Sequence, residues 1–350
     1  MVRKILATAI IGMSIFSSVY AQDSTKSGTL SISGSVDAFY RYNFDNAKDV
    51  PATNNYTSFT NSHNSFELGM ASLKFEYSHG KVGAVADLGF GNRVSEFSYN
   101  EMGALAAIKQ AYVTYAPSEN VTFSMGKWAT HVGYELLDPQ LNRNYSMSYM
   151  FSYGPFSHTG LKVDFSLGEG FGAMVGVANP TDYLAASFAK KNVLAQVSKT
   201  SDNFSAFLNY VGGKDLSSNT INQVGLTATG TVSDKFSIGY DGTVKSVKPM
   251  TGSSVSWWGS ALYLNVDPTD KLGLTARGEY FSDKKGAAGF GTSLFDATLS
   301  LNIKPAEGFM IIPELRLDTA KDPIFYKNSD GINPTSKSTT SFILAAVFSF

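Results

Sequence analysis

A chain of 350 residues with no cysteine, and with 28 basic against 29 acidic residues, is neither a disulfide-stapled secreted domain nor a nucleic-acid binder by bulk charge. Its mean hydropathy is −0.06, and past the first segment no window approaches 18 apolar residues, which excludes a later transmembrane helix. Charged residues are only 16%, with 13% aromatics and 32 glycines, a balance that favours a barrel with an apolar outer band and a polar lumen over a soluble secreted domain.

In chain order, Arg3 and Lys4 precede an apolar run from Ile5 to Phe16, and Val19-Tyr20-Ala21 supplies small residues before polar Gln22 and Asp23. This is the pattern of a secretory signal cleaved after Ala21, and the run is short of the ~20 residues that an anchor needs. Residues 1–21 are therefore expected to be a signal peptide and residues 22–350 a single domain. Cleavage removes two positive charges and leaves 26 basic against 29 acidic residues.

From Thr29 onward the chain alternates with period two. Leu30, Ile32, Val36, Ala38, Tyr40 and Tyr42 share one face, while Ser31, Ser33, Ser35, Asp37 and Arg41 share the other. In the next segment Leu73, Phe75 and Tyr77 oppose Lys74 and Glu76, but Phe66, Leu68 and Met70 have the opposite phase, so a bulge or a later strand start is required there. Ala84, Ala86, Leu88 and Phe90 oppose Asp87 and, further on, Arg93. Lys109 shares parity with Ala111, Val113 and Tyr115, which places it at the rim.

Later segments repeat the pattern. Leu161, Val163 and Phe165 oppose Lys162 and Asp164; Phe236, Ile238 and Tyr240 oppose Asp241 and Lys245; Leu272, Leu274 and Ala276 oppose Arg277 and Glu279. Phe295, Ala297 and Leu299 then oppose Asp296, and Leu315 and Leu317 oppose Glu314, Arg316 and Asp318. Charge confined to one face is what lipid demands, because a Lys or Arg facing the mid-membrane costs about 2–4 kcal/mol.

Short breaks such as His79-Gly80-Lys81 and Pro305-Ala306-Glu307 alternate with long ones at 45–63, 98–105, 130–157, 179–190, 212–220, 247–255, 283–291 and 319–338. Seven short and eight long connections predict sixteen strands of an all-β, transmembrane, antiparallel up-and-down barrel; fourteen or eighteen also fit the spacing. The last segment places Thr340, Phe342, Leu344, Ala346, Phe348 and Phe350 on one face. Behind a signal peptide, this resembles the terminal strand by which outer-membrane barrels are recognised for assembly.

The longest break contains Gly126-Lys127-Trp128-Ala129-Thr130-His131-Val132-Gly133-Tyr134-Glu135, Asn142-Arg143-Asn144-Tyr145-Ser146 and Gly154-Pro155-Phe156-Ser157-His158-Thr159-Gly160. With the preceding Lys109-Gln110-Ala111-Tyr112-Val113-Thr114-Tyr115, this resembles the OmpL-like β-barrel porin family, most densely over 105–165. The resemblance implies an outer-membrane diffusion channel whose long third loop folds toward the lumen as a constriction. The loop's eight aromatic and methionine side chains from Tyr134 to Phe156 agree with inward folding, since they would pack poorly in water; a loop lying on its neighbours above the rim is the alternative.

On the inward reading Glu135, Asp138, Arg143 and Tyr145 stand at the constriction. The wall contributes Asp37, Arg41, Lys74, Glu76, Asp87, Lys162, Asp164, Asp241, Lys245, Arg277, Glu279, Asp296, Glu314, Arg316 and Asp318. Neither sign dominates, so ion selectivity is expected to be weak. No catalytic residue, metal or cofactor is expected: four histidines and no Gly-x-Ser-x-Gly elbow offer little to hydrolysis, and His131, Glu135 and His158 lack a fixed third ligand geometry. The partners expected are outer-membrane lipid, lipopolysaccharide and the barrel-assembly machinery, without nucleic acid; a homotrimer follows only by analogy with other 16-stranded porins. A surface adhesin or receptor working through 45–63 and 319–338 is the rival function, and an outer-membrane enzyme the third.

Overall fold

The computed structural model describes residues 28–46, 53–328 and 333–350; the expected signal segment 1–21 lies outside the described residues. Among the described residues sixteen strands are formed: β1 (Thr29–Asn43), β2 (Ser65–His79), β3 (Val82–Phe90), β4 (Ile108–Ser118), β5 (Val121–Ala129), β6 (Ser157–Gly168), β7 (Phe171–Ala178) and β8 (Asn192–Thr200), followed by β9 (Phe204–Lys214), β10 (Thr220–Ser233), β11 (Phe236–Lys248), β12 (Val255–Thr269), β13 (Leu272–Ser282), β14 (Ser293–Ala306), β15 (Phe309–Ala320) and β16 (Ser338–Ser349). Every strand pairs antiparallel with its sequence neighbours, and β1 pairs with β16 to close the ring. Closure leaves no edge, so each backbone polar group in the apolar layer has a ladder partner. At the seam Gly34 N–H donates to Phe350 O and Phe350 N–H donates to Gly34 O, both at 3.1 Å.

The alternation of the sequence becomes the two faces of this wall. Val175, Leu262, Leu299 and Leu315 are 46–51% exposed on the outside, whereas Asp37, Asp296, Arg277 and Glu314 are buried within. Phe342, Leu344, Phe348 and Phe350 stand on the outer face of the last segment, with Ile343, Ala345 and Val347 buried behind them.

The phase conflict in β2 is resolved by a bulge. Asp37 lies opposite Met70 and Ala38 opposite Leu68, so Gly69 is the extra residue. Phe66 and Leu68 thereby point out with Leu73 and Phe75, while Met70 is buried inside. Only glycine fits, because a Cβ there would lie 1.8 Å from the Asp37 carboxylate and 2.7 Å from the Tyr145 hydroxyl. A second bulge corrects the expectation for Lys109. Asp87 pairs with Gln110 and Leu88 with Ile108, so Lys109 is the inserted residue and turns inward rather than standing at the rim. It is 2% exposed and bonded to Asp87 at 3.1 Å and to Asp138.

The short connections lie at one end of the barrel and the long ones at the other. Two short helices belong to the long ones, α1 (Asn92–Phe97) before β4 and α2 (Tyr149–Tyr153) before β6. The latter is capped by Ser148, whose hydroxyl accepts from Phe151 N–H at 3.1 Å.

Candidate functional site

The segment between β5 and β6, residues 130–156, is bonded to inward-facing side chains almost all round the ring. Its first part follows the wall of β6–β11. Thr130 Oγ1 lies 3.1 Å from His158 Nε2, His131 Nε2 lies 3.2 Å from Tyr210 O, and Tyr134 N–H donates to Asp241 at 3.1 Å. Val132 enters an apolar cluster with Trp128, Met174, Ala178, Leu194 and Val211. Tyr134 then stacks on Tyr263 with ring centroids 4.1 Å apart.

The second part meets β12–β15 and β1. In a closed ring of sixteen, β13 and β14 stand eight places from β5 and β6, so these bonds reach the far wall. Two wall glutamates each hold a pair of adjacent backbone amides. Glu279 accepts from Tyr149 and Met150 N–H at 2.7 and 2.8 Å, and Glu314 accepts from Tyr145 and Ser146 N–H at 2.7 and 3.1 Å. Charge-assisted bonds of this kind are stronger than neutral ones and fix the segment's register. Residues 144–151 are buried throughout.

An ionic network lies beneath them. Arg277 bonds Glu135 at 2.6 Å, Asp296 at 3.1 Å and Ser146 O at 2.7 Å; Arg316 bonds Asp296 at 2.7 Å, Asp318 at 2.8 Å and Met147 O at 2.7 Å. Each guanidinium is thus shared between two carboxylates and a loop carbonyl. Breaking such a buried pair costs about 3–5 kcal/mol, because the remaining charge is stranded without water.

The remaining residues named from the sequence fall in distinct places. Glu135 also accepts from Tyr263 Oη at 3.1 Å and Ser148 N–H at 2.7 Å, and Asp138 bonds Lys109. Arg143 reaches toward the short-turn end, where it bonds Asp267 at 2.7 Å and Thr275 Oγ1 at 2.8 Å. Tyr145 donates its hydroxyl to Asp37 at 2.5 Å. Arg41 is tied to loop carbonyls, Thr53 O at 3.2 Å and Ser62 O at 2.6 Å. Lys74 pairs with Glu76 at 2.8 Å and Lys162 with Asp164 at 2.7 Å, in the part-exposed region toward the short turns. Lys245 donates to Tyr153 O at 3.2 Å near the long-loop end.

The wall charges were expected to face water, and most do not. Each of the sixteen strands carries at least one inward side chain that is 3% exposed or less, from Asp37 on β1 through Ser124, Met174, Leu194 and Thr227 to Ile343 on β16. The waist of the barrel is packed against loop residues rather than open all round. Glu135 is committed to Arg277, and among the described residues no group of three His, Cys, Asp or Glu gathers as metal ligands.

Arg93 was legible as an inward residue beyond β3, whereas Asp182 was missed. Arg93, on α1, donates to Leu137 O and Tyr145 O and lies with its guanidinium over the Phe59 and Tyr145 rings at 5.0 and 4.7 Å. Asp182 accepts from Phe156 and Ser157 N–H at 2.8 and 2.7 Å and from Tyr99 Oη at 3.1 Å, joining three loops. Burial pushes its carboxyl up to about 6, against the lowering effect of those bonds. Asp182 lies in a loop without alternation, and no sequence signal marked it.

The family model described as "Putative beta-barrel porin-2, OmpL-like" matches residues 29–350. No curated protein matches in sequence. Among solved structures, the anion-selective porin from Comamonas acidovorans is similar with a TM-score of 0.66 at 11% identity, over 93% of this chain and 100% of that one. The outer membrane channel DcaP of Acinetobacter baumannii gives 0.63 at 14% identity, over 94% and 99%. Vibrio cholerae OmpT in its trimer form gives 0.62 at 13% identity, over 93% and 100%. At these identities the likeness is one of fold.

Proposed function

The chain belongs to the OmpL-like β-barrel porin-2 family and is an outer-membrane porin, and from that premise we propose that it passes small hydrophilic solutes by passive diffusion, with weak ion selectivity, through an interior narrowed by residues 130–156. The observation that carries this reading is the bonding of that segment to the far wall through Glu279, Glu314 and Arg277. Solute selection then rests on width and fixed charge, and no covalent step is involved. The mixed signs of the interior support weak selectivity, although the Comamonas acidovorans neighbour is named as anion-selective. The trimer form of Vibrio cholerae OmpT supports a homotrimer. Lipid and lipopolysaccharide around the apolar band, delivery by the assembly machinery through the segment ending in Phe350, and signal cleavage after Ala21 complete the proposal.

Conductance of the purified barrel in planar bilayers is the test. The packed waist sets the expectation of discrete openings well below those of a wide porin, altered by Glu135→Ala and Arg143→Ala. A folded, oriented sample that never conducts would sink the proposal. That result would favour a surface receptor acting through its outer loops, a reading that the same packed waist supports.

A further inference from the structure

A cavity of about 610 Å³ opens at the long-loop end, between α1, the return of residues 152–156 toward β6, and the loops after β7 and β9. Its size falls within the roughly 300–1,000 Å³ of small-molecule sites. We propose that it is a docking site for a neutral carbohydrate, of mono- or disaccharide size, held against the ring of Tyr99 between Glu96 and Lys245.

The lining selects the class of ligand by elimination. Three carboxylates, Glu96, Asp182 and Asp215, face the same space as the single ammonium of Lys245, which disfavours an anion. A cation fares no better. It would have to share oxygens that already accept, those of Asp182 from Phe156, Ser157 and Tyr99 and those of Asp215 from Asn219 at 2.9 Å, against the repulsion of Lys245. What remains open suits a molecule that both donates and accepts without net charge. Glu96 uses Oε2 on Phe59 N–H at 2.8 Å, which leaves Oε1 to accept from a hydroxyl. Among the described residues Lys245 makes one hydrogen bond, to Tyr153 O at 3.2 Å, and its ammonium has three donors.

Tyr99 supplies the apolar contact. Its hydroxyl is tied to Asp182 at 3.1 Å and its ring meets Phe156 edge-on at 6.2 Å, yet 59% of the residue is exposed. A ring fixed at its polar end with an open face is a ready platform for the C–H face of a pyranose, because its ordering cost is met before binding.

The site does not require the barrel to conduct, and its test is separate from conductance. Maltose is titrated calorimetrically into the full-length barrel, folded in a detergent without a sugar headgroup, and spermidine and citrate are titrated in parallel. Saturable maltose binding is expected, with neither charged probe binding as tightly. Tyr99→Phe keeps the ring but frees it from Asp182 and should weaken binding about two- to threefold; Tyr99→Ala should weaken it about tenfold, equivalent to ~1.4 kcal/mol. Lys245→Gln, which leaves the loops' other anchors in place, should weaken it several-fold. The proposal is overturned by absent maltose saturation, by tighter binding of spermidine or citrate, by equal losses in Tyr99→Phe and Tyr99→Ala, or by affinity indifferent to Tyr99→Ala and Lys245→Gln.

Discussion

Residues 130–156 are gripped by two walls of opposite chemistry. On the β6–β9 side the packing is mainly apolar, with Val132 set among Trp128, Met174, Ala178, Leu194 and Val211, and the polar contacts of Thr130 and His131 there are uncharged. On the β12–β15 side they are ionic, with Glu279 and Glu314 holding amide pairs and Arg277 and Arg316 holding carbonyls. An apolar contact is non-directional and sums over area, so it tolerates sliding. A carboxylate on two adjacent amides accepts only one register. The difference teaches that the first wall supplies adhesion and the second supplies position.

Removing the positional element should give the largest effect. Arg277→Ala strands Glu135 and leaves Asp296 to Arg316 alone, and a loss of about 3–5 kcal/mol is expected in denaturant unfolding of the micellar barrel, accompanied by enlarged conductance. A drop below about 1 kcal/mol with unchanged current would show that the ionic wall does not fix the segment. On the adhesive wall, Leu194→Ala removes a wholly buried side chain and should cost roughly 3 kcal/mol through the cavity it leaves. Its single-channel current should stay close to the parent value; a change as large as that of Arg277→Ala would erase the distinction between the walls.

Asp182, at the root where the segment rejoins β6, adds a pH-dependent anchor. Its folded carboxyl binds a proton more tightly than the unfolded one (about 6 against 3.8), so its contribution is full below about pH 4 and is lost as pH rises through about 6. Protection of the Phe156 and Ser157 amides from hydrogen exchange, corrected for intrinsic rate, should decline across that window; Asp182→Asn should flatten the profile. The smallest change is expected from Arg143→Gln. Its partner Asp267 is over a third exposed, so stability should fall by no more than about 1 kcal/mol while ion preference shifts measurably.

Legibility from sequence followed charge. Where a strand carried Asp, Glu, Lys or Arg on one face, as in Asp296 against Phe295 and Ala297, both its phase and its inward side could be read. β7 has no such marker and β8 and β9 carry only Lys199 and Lys214 at their ends, while Met174, Leu194 and Val211 point in and Val175, Val193 and Leu208 point out. Apolar residues on both faces conceal that this wall is packed rather than wet. The turns were readable for a local reason: Gly80-Lys81, Glu119-Asn120 and Glu307-Gly308 each lie between the strands that they connect. The β2 phase conflict was visible as a conflict and its cause, Gly69, was not. Lys109 was misplaced because a bulge reverses every parity argument beyond it.

The register of the loop's bonds also sets an order in time. Tyr145 and Tyr149 find Glu314 and Asp318 across 169 residues of chain, and Ser146 and Met150 find Arg277 and Glu279 across about 130. Long-separated contacts of this kind form slowly, since the chain between them must first be brought together. Residues 144–151 have no ionic wall to settle on until β13 to β15 have joined the sheet. The interior is then the last part of the molecule to mature, and a barrel arrested before β13 would hold its strands correctly while its centre remained unformed.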